Sequence, residues 1–362
     1  EIRHNQEEFG NYIMKTASGR YIHGENPVIG GFGKFPTREE LIWIKSRAIQ
    51  FIPFILKTVS LFCELDYPDC PEEDTVYACC HPDQNKYGLV GDEIMLSTGE
   101  IINKDDYKSL TNEFVVSHSY AKHSRYREKP YSVGALARVN NLGEKLKGQT
   151  GKMYKKYFNP RWRRNPLFNN AAQALEILYA FERIPKSVDK MLRLSSSQIA
   201  KYTKKEGKGT GIVEAPRGLL IHSYEISVDH LARVEGSGGI SATIDGKVVT
   251  DVKFSIYEGP RLVERLTVGK TPEEVVNIVP RICAICTISH KYAALRAMEN
   301  ALSIKVPTKV SLLRDLMHLG EMIESHSLHI YYLTLPDYVG FPNAIAMASK
   351  FELEVKIALE MK

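Results

Sequence analysis

The sequence is short of cysteine and has no long apolar run, and both shortages narrow what it can be. Six cysteines in 362 residues, Cys63, Cys70, Cys79, Cys80, Cys283 and Cys286, are too sparse for a secreted disulfide scaffold. The expectation is a reducing, cytoplasmic setting in which closely spaced thiols serve metal or redox chemistry. No stretch of about 18 apolar residues occurs, which predicts no membrane span. Glu1-Ile2-Arg3-His4-Asn5-Gln6-Glu7-Glu8 lacks the basic and apolar regions of a secretory leader. No initiator Met stands there either, which predicts a processed or partial chain. Hydrophobic content of 43 % and charged content of 25 % exclude the disordered and low-complexity classes. The net charge of +5 is spread out apart from clusters at 145–156 and 161–164. No nucleic-acid module accompanies them, so a solvated basic face is the simpler reading and no nucleic-acid partner is expected.

A chain of this length can bury about three quarters of its surface without staples. Residues 1–16 read as the tail of a helix and 17–37 as a loop punctuated by Gly30-Gly31-Phe32-Gly33. That glycine loop is no phosphate site, because it lacks the Gly-Lys-Ser/Thr ending and a preceding strand. Thr37-Arg38-Glu39-Glu40 is a capping-box opening for a helix to about Leu65, which Pro53 should kink or divide. Residues 66–135 are mixed, with short strands expected around 87–97. A helix is expected over 165–192, followed by a polar, Gly-rich stretch over 193–222. Alternation on both sides of Asp245-Gly246 predicts a β-hairpin. Helices are expected over 271–279, 287–303, 308–334 and 341–362. The fold class is therefore mainly α with a small β-meander, an α+β protein. Residues 347–362 end without Gly or Pro and 1–16 begin without a cap. Joined end to start they make one long helix, so the present ends are expected to interrupt an element.

The richest chemistry lies in Arg281-Ile282-Cys283-Ala284-Ile285-Cys286-Thr287-Ile288-Ser289-His290. Two thiols three residues apart can chelate one metal across a turn, and thiolates suit nickel, iron and zinc. A helix starting near Thr287 would present free amides that favour both thiolates. His290, one turn after Cys286, can hydrogen-bond sulfur or act as a ligand. Taken alone the pair also fits half of a zinc site or two buried free cysteines. A structural zinc site needs four protein ligands, and the adjacent Cys79-Cys80 are poorly spaced to supply the other two.

Further motifs extend this reading. Val279-Pro280-Arg281-Ile282-Cys283-Ala284-Ile285-Cys286, ending in His290, resembles the first cysteine motif of nickel–iron hydrogenase large subunits. Asp229-His230-Leu231-Ala232-Arg233-Val234-Glu235-Gly236 resembles that family's N-terminal RxEG motif. Ser325-His326 and His329 with Pro336-Asp337 are similar to its central helix. Gly19-Arg20, His23 and Gly30-Gly31 resemble its Gly-rich loop. Ser117 to Lys122 and Val133 to Arg138 have counterparts in the same family. Glu214-Ala215-Pro216-Arg217-Gly218 resembles its active-site arginine motif. The resemblance covers almost the whole chain and is closest in style to the cytoplasmic, cofactor-coupled group.

Two departures stand out. Residues 1–223 resemble the middle and later part of the family, and 224–362 its N-terminal part. The order is thus permuted, with a seam near 224–228, and the two segments are expected to form one compact unit with the helical bundle of a hydrogenase large subunit. The family's closing DPCxxCxxH segment has no counterpart. It lies outside this sequence, or another chain supplies it, or the site is inactive; an incomplete, rearranged sequence accounts for the missing Met, the permuted order and the missing segment alike.

The resemblance implies a nickel–iron centre, with cyanide and carbon monoxide on the iron, that cleaves dihydrogen heterolytically. Cys283 would be a terminal nickel thiolate and Cys286 a bridging one. Arg217 would stand over the open metal face, its approach set by Pro216. Glu235 would relay protons, and His290 would sit behind a bridging sulfur. Glu264 aligns with a magnesium-binding carboxylate, and magnesium is a further expected ion. Electrons would pass to an iron–sulfur small subunit, since six cysteines cannot hold a cluster series. Nicotinamide-, deazaflavin- or heterodisulfide-linked subunits would follow. Two other classes remain in view: a metal-free hydrogenase-like scaffold in an electron-transfer complex, and a zinc-stabilised binding module.

Overall fold

The computed structural model describes residues 9–70, 75–82, 86–195, 199–203, 205–226, 238–245, 248–256 and 261–361. Helices dominate. α1 (Phe9–Ser18) and α2 (Arg38–Glu64) open the chain. The Thr37 hydroxyl accepts from the Glu40 amide at 3.2 Å, and the Glu40 carboxylate accepts from the Thr37 amide at 2.7 Å. This is the expected capping box. α2 runs on through Pro53 undivided. Its buried residues Leu41, Ile44, Ala48, Phe51, Ile55, Val59 and Phe62 recur every three or four positions, the stripe of a core-facing helix. Among the described residues α2 alone is long and apolar enough, by length and composition, to cross a bilayer. One face of it lies in the core, while Ile42, Ile49 and Phe54 on α2 are exposed.

α3 (Ala135–Leu142), α4 (Gly148–Tyr157) and α5 (Asn169–Arg193) follow. After the β-hairpins come α6 (Arg261–Thr267), α7 (Pro272–Ile278), α8 (Thr287–Ala301) and α9 (Thr308–Ser327). α5 packs against both α2 and α9, and α1 lies on α9. Phe181 of α5 stacks on Phe9 with ring centres 5.1 Å apart and meets Phe51 at 5.5 Å. Full burial of each such side chain stabilises by about 1.5–3 kcal/mol. The main core joins Phe9, Phe51 and Phe181 to Leu316, Met322 and Ile330, so residues from both sides of position 224 share it.

The β-structure is more extensive than the expected meander. Val76–His81 is flanked by Glu93–Leu96 and Tyr131–Ser132, with Ile101–Asn103 at the edge. The strands Gly238–Asp245 and Val248–Ile256 pair antiparallel with Asp245 opposite Val248, as the alternation predicts.

Three expectations need correction. Residues 207–226, most of which fall in the 193–222 stretch that reads as polar and Gly-rich, form a regular hairpin of Gly207–Ala215 and Gly218–Ile226. A Cβ on Gly207, Gly209 or Gly211 would lie 2.1–2.4 Å from the carbonyl oxygens of Ala301, Ala297 and Ala293. Alternate glycines on one strand face therefore let the backbone lie directly on the small-residue stripe of α8. Second, the helix expected over 308–334 turns into a π-helix at Leu328–Thr334. Third, the helix expected over 341–362 is two pieces, Ala344–Met347 and Glu352–Met361. The rings of Phe341 and Phe351 meet edge-on at 6.1 Å, and this contact folds the chain back between them. The predicted join of the two chain ends involves 1–8 and Lys362, outside the described residues.

Candidate functional site

The cysteine motif sits where a short 3-10 turn, Val279–Ile282, passes into α8. The Cys286 amide donates to the Cys283 sulfur at 3.3 Å. The Cys286 thiol also donates to that sulfur. With the amides of Cys286 and Ile285 and the Arg217 charge, it overcomes burial and holds Cys283 down at about 5. Cys286 is pushed up by the same shared proton and by burial. The pair thus presents one thiolate and one thiol at neutral pH, both half-buried.

Arg217 approaches from the other side. Ala215 pairs with Gly218, so Pro216 and Arg217 form a two-residue turn in which Pro216 is buried and Arg217 exposed. Gly218 has φ +139°, and a Cβ there would lie 2.4 Å from Val133 Cγ2; only glycine fits. The Arg217 charge acts on Cys283, Cys286, His290 and His329. Residues 217 and 283–290, distant in sequence, therefore share one site.

His290 is buried, and its Nδ1 lies 3.1 Å from His222 Nε2; His222 Nδ1 lies 2.6 Å from the Tyr224 hydroxyl. Burial, then the neighbouring Arg217 charge, lowers His290 to about 4. Burial and His290 lower His222 to about 3. The hydrogen bond made by the His290 ring thus runs to a second histidine. His23 braces the motif, its Nδ1 3.0 Å from the Pro280 carbonyl and its amide donating to Thr287 Oγ1 at 3.1 Å. Glu264 is exposed on α6. Glu235 lies outside the described residues.

Sequence reasoning gave no role to the buried charges behind the site, although Arg138, Glu214 and His326 lie within its motifs. Arg138 of α3 is fully buried and bidentate to Glu176, at 2.5 and 2.6 Å, with its other arm 2.5 Å from Glu214. Glu176 also takes the Tyr87 hydroxyl at 2.5 Å and meets His326 Nε2 at 2.8 Å. Burial opposes ionisation of Glu176, but Arg138 outweighs it and the carboxyl is held low. At Glu214 burial prevails over Arg138 and the carboxyl is raised. Glu321 of α9 accepts from the Ile288 and Ser289 amides at 2.6 and 3.0 Å and from the Ser289 hydroxyl. Burial raises its carboxyl to about 8 against those donors. The available signal was an acidic residue inside an apolar helix, as in Ala174-Leu175-Glu176-Ile177 and Gly320-Glu321-Met322.

Among the described residues no three or more His, Cys, Asp and Glu side chains gather as a metal site.

Residues 261–359 match the family model described as nickel-dependent hydrogenase. Over its matched segments the chain is similar in sequence to nickel–iron hydrogenase large subunits. Sulfhydrogenase 1 subunit alpha of Pyrococcus furiosus is 44 % identical over 137 residues, 38 % of this chain and 32 % of that protein. Sulfhydrogenase 2 subunit alpha of the same organism is 35 % identical over 219 residues, 60 % of this chain and 50 % of that protein. This chain therefore spans half or less of the length of these relatives. A solved NAD+-reducing NiFe hydrogenase in the H2-reduced state overlays with a TM-score of 0.51 at 18 % identity, covering 87 % of this chain and 65 % of that one. That overlay identifies the fold.

Proposed function

We propose that this chain is the catalytic large subunit of a nickel–iron hydrogenase, acting in the reversible, heterolytic cleavage of dihydrogen. The observation that carries the reading is the convergence of Cys283, Cys286 and Arg217 from two elements far apart in sequence. A nickel–iron centre, with cyanide and carbon monoxide on the iron, supplies the dihydrogen-splitting chemistry when bound. The donors here fit half of it. Thiolates suit nickel, and Cys283 is ionised at neutral pH. The remaining two thiolates would come from a segment outside this sequence.

The chain's own residues then have separate tasks. Cys283 and Cys286 would hold the nickel as thiolates, as the family resemblance implies. Arg217 orients a diatomic molecule with its fixed fork, and buried Pro216 sets its approach. His290 backs the Cys286 side of the site. Glu235 carries protons outward. Glu264 offers a carboxylate to magnesium, whose other ligands would come from elsewhere.

Electrons leave to an iron–sulfur small subunit. Ile285, next to Cys286 in the chain, is exposed and would be open to that partner. Nicotinamide-, deazaflavin- or heterodisulfide-linked subunits would accept the electrons. All six cysteines are free, which suits a reducing, cytoplasmic compartment.

Infrared spectroscopy of the purified complex tests the reading. Metal-bound cyanide and carbon monoxide bands are expected, together with loss of hydrogen uptake in Cys286→Ser. A second reading, a metal-free scaffold, is favoured by the lack of a third metal-ligating side chain beside the pair among the described residues. A blank spectrum from a correctly matured complex would make it the better one.

A further inference from the structure

We propose that His318 and Glu321 are positioning residues that together fix the Arg217 turn relative to the cysteine helix. The two lie three residues apart on α9, on one helix face, and both are buried. Each holds a different half of the site. His318 Nε2 lies 2.7 Å from the Glu214 carbonyl oxygen. That oxygen can only accept, so the His318 Nε2–H donates to it. Glu214 stands three residues before Arg217, next to the turn, and its amide is tied in turn to the Leu89 carbonyl at 2.8 Å. Glu321 takes the amides of Ile288 and Ser289. These are the second and third residues of α8, whose amides have no acceptor within the helix. Cys286 is the N-cap and offers no side-chain cap of its own, so a residue of another helix performs the capping.

The two grips share a node. The Ser289 hydroxyl donates to Glu321 and lies 3.4 Å from His318 Nε2. The Tyr292 ring of α8 meets the His318 ring edge-on at 5.7 Å. α9 thus reaches the strand carrying Arg217 and the helix start carrying Cys286 through neighbouring side chains. A shift of either element past α9 breaks a bond made in a fully buried setting, where a lost partner is not replaced by water. The bracket is built for constant separation between guanidinium and thiols, which positional catalysis requires.

The inference rests on the hydrogenase reading for its functional consequence and on the hydrogen bonds alone for its existence, so two readouts separate them. The first is amide hydrogen exchange on the full chain in its complex. The Ile288 and Ser289 amides owe their protection to Glu321, so Glu321→Leu should speed their exchange about tenfold or more, while Glu321→Gln, which keeps an acceptor oxygen, should largely restore it. His318→Leu should speed exchange in 214–218 and leave Ile288 protected. Unchanged exchange in Glu321→Leu and His318→Leu would overturn the bracket whatever the chain does.

The second readout is turnover per bound nickel. The bracket predicts about a tenfold or larger loss of kcat per nickel in Glu321→Leu and in His318→Leu, with nickel content kept and partial rescue by Glu321→Gln. Lower nickel content with unchanged turnover per nickel would mean that the two residues are merely structural, and would overturn the positioning role. A wild-type complex without nickel or turnover would overturn the hydrogenase reading instead, and exchange alone would then decide the bracket.

Discussion

Replacing Arg138 with Met should destabilise the chain severely, and replacing its two partners as well should repair much of the damage. The guanidinium and the Glu176 and Glu214 carboxylates are 0, 3 and 0 % exposed. Three bonds of 2.5–2.6 Å join them. Arg138→Met removes the one guanidinium these two carboxylates share and leaves both without solvent. Breaking a buried ion pair from one side costs about 3–5 kcal/mol, and the direction is set by the stranded charge rather than by lost packing, since Met has similar length. Glu176 keeps the Tyr87 hydroxyl and Glu214 keeps the Cys80 amide at 2.6 Å, so the lower half of that range, about 3–4 kcal/mol, is expected. Arg138→Met/Glu176→Gln/Glu214→Gln carries no stranded charge, and its neutral oxygens still accept those two donors. It should therefore recover at least about half of the loss. Urea denaturation followed by circular dichroism measures both variants against the parent. A loss under about 1 kcal/mol for the single variant, or a triple variant less stable than the single one, would refute the argument.

Acid should destabilise the protein through three buried histidines, which outweigh the opposing gain as Glu321, raised to about 8, takes up its proton. His222, His290 and His318 are lowered from 6.5 to about 3, 4 and 4, each first by burial. Their stabilising effect is complete above about pH 6.5, where the unfolded chain is also neutral, and falls as pH drops towards the folded values; at pH 5 each should have lost about 2 kcal/mol. Urea midpoints equal at pH 7 and 5 would rule this out. Cys283, ionised above about 5, should be alkylated by iodoacetamide in the metal-free chain at a rate flat between about pH 6.5 and 8.5, read by mass spectrometry. A rate climbing about tenfold per pH unit across that range would contradict it. Cys63 and Cys79, both pushed up to about 12 mainly by burial, should stay unmodified in the same reaction. Gly218→Ala puts a methyl 2.4 Å from Val133 Cγ2 at φ +139° and should cost about 1–3 kcal/mol in urea denaturation; a variant as stable as the parent would show that the turn has room to shift.

The parts legible in the sequence were those encoded by near neighbours. The Thr37–Glu40 capping box, the helix beginning at Thr287 after Cys286, and the hairpin about Asp245 all depend on residues within a few positions, and all stand where the local pattern puts them. The hairpin at 207–226 was missed because its glycines read locally as loop, while their purpose is contact with Ala293, Ala297 and Ala301, 82 to 94 residues away. Spacing offered one overlooked clue, since glycines at 207, 209 and 211 share one strand face. The break in 341–362 follows the same rule. The residues there favour helix, and a tertiary contact between Phe341 and Phe351 overrides them.

The candidate site divides along the same line. Cys283, Cys286 and His290 announce themselves because a chelating turn followed by a helix is a local device. Arg217 could be tied to them only through resemblance, since nothing in its neighbourhood points 66 residues ahead to Cys283. Glu176, Glu214 and Glu321 lie deeper still. Each interrupts an apolar stretch, and a carboxylate buried there demands a partner. The partners are Arg138, the Cys80 amide and the first turn of α8, 33 to 134 residues away. Periodicity can therefore say that such a residue must be satisfied and on which helix face it lies. The satisfying group is fixed by how α3, α5, α8, α9 and the 207–226 hairpin pack, and the strand that lets this hairpin reach α8 is the one whose glycines concealed it.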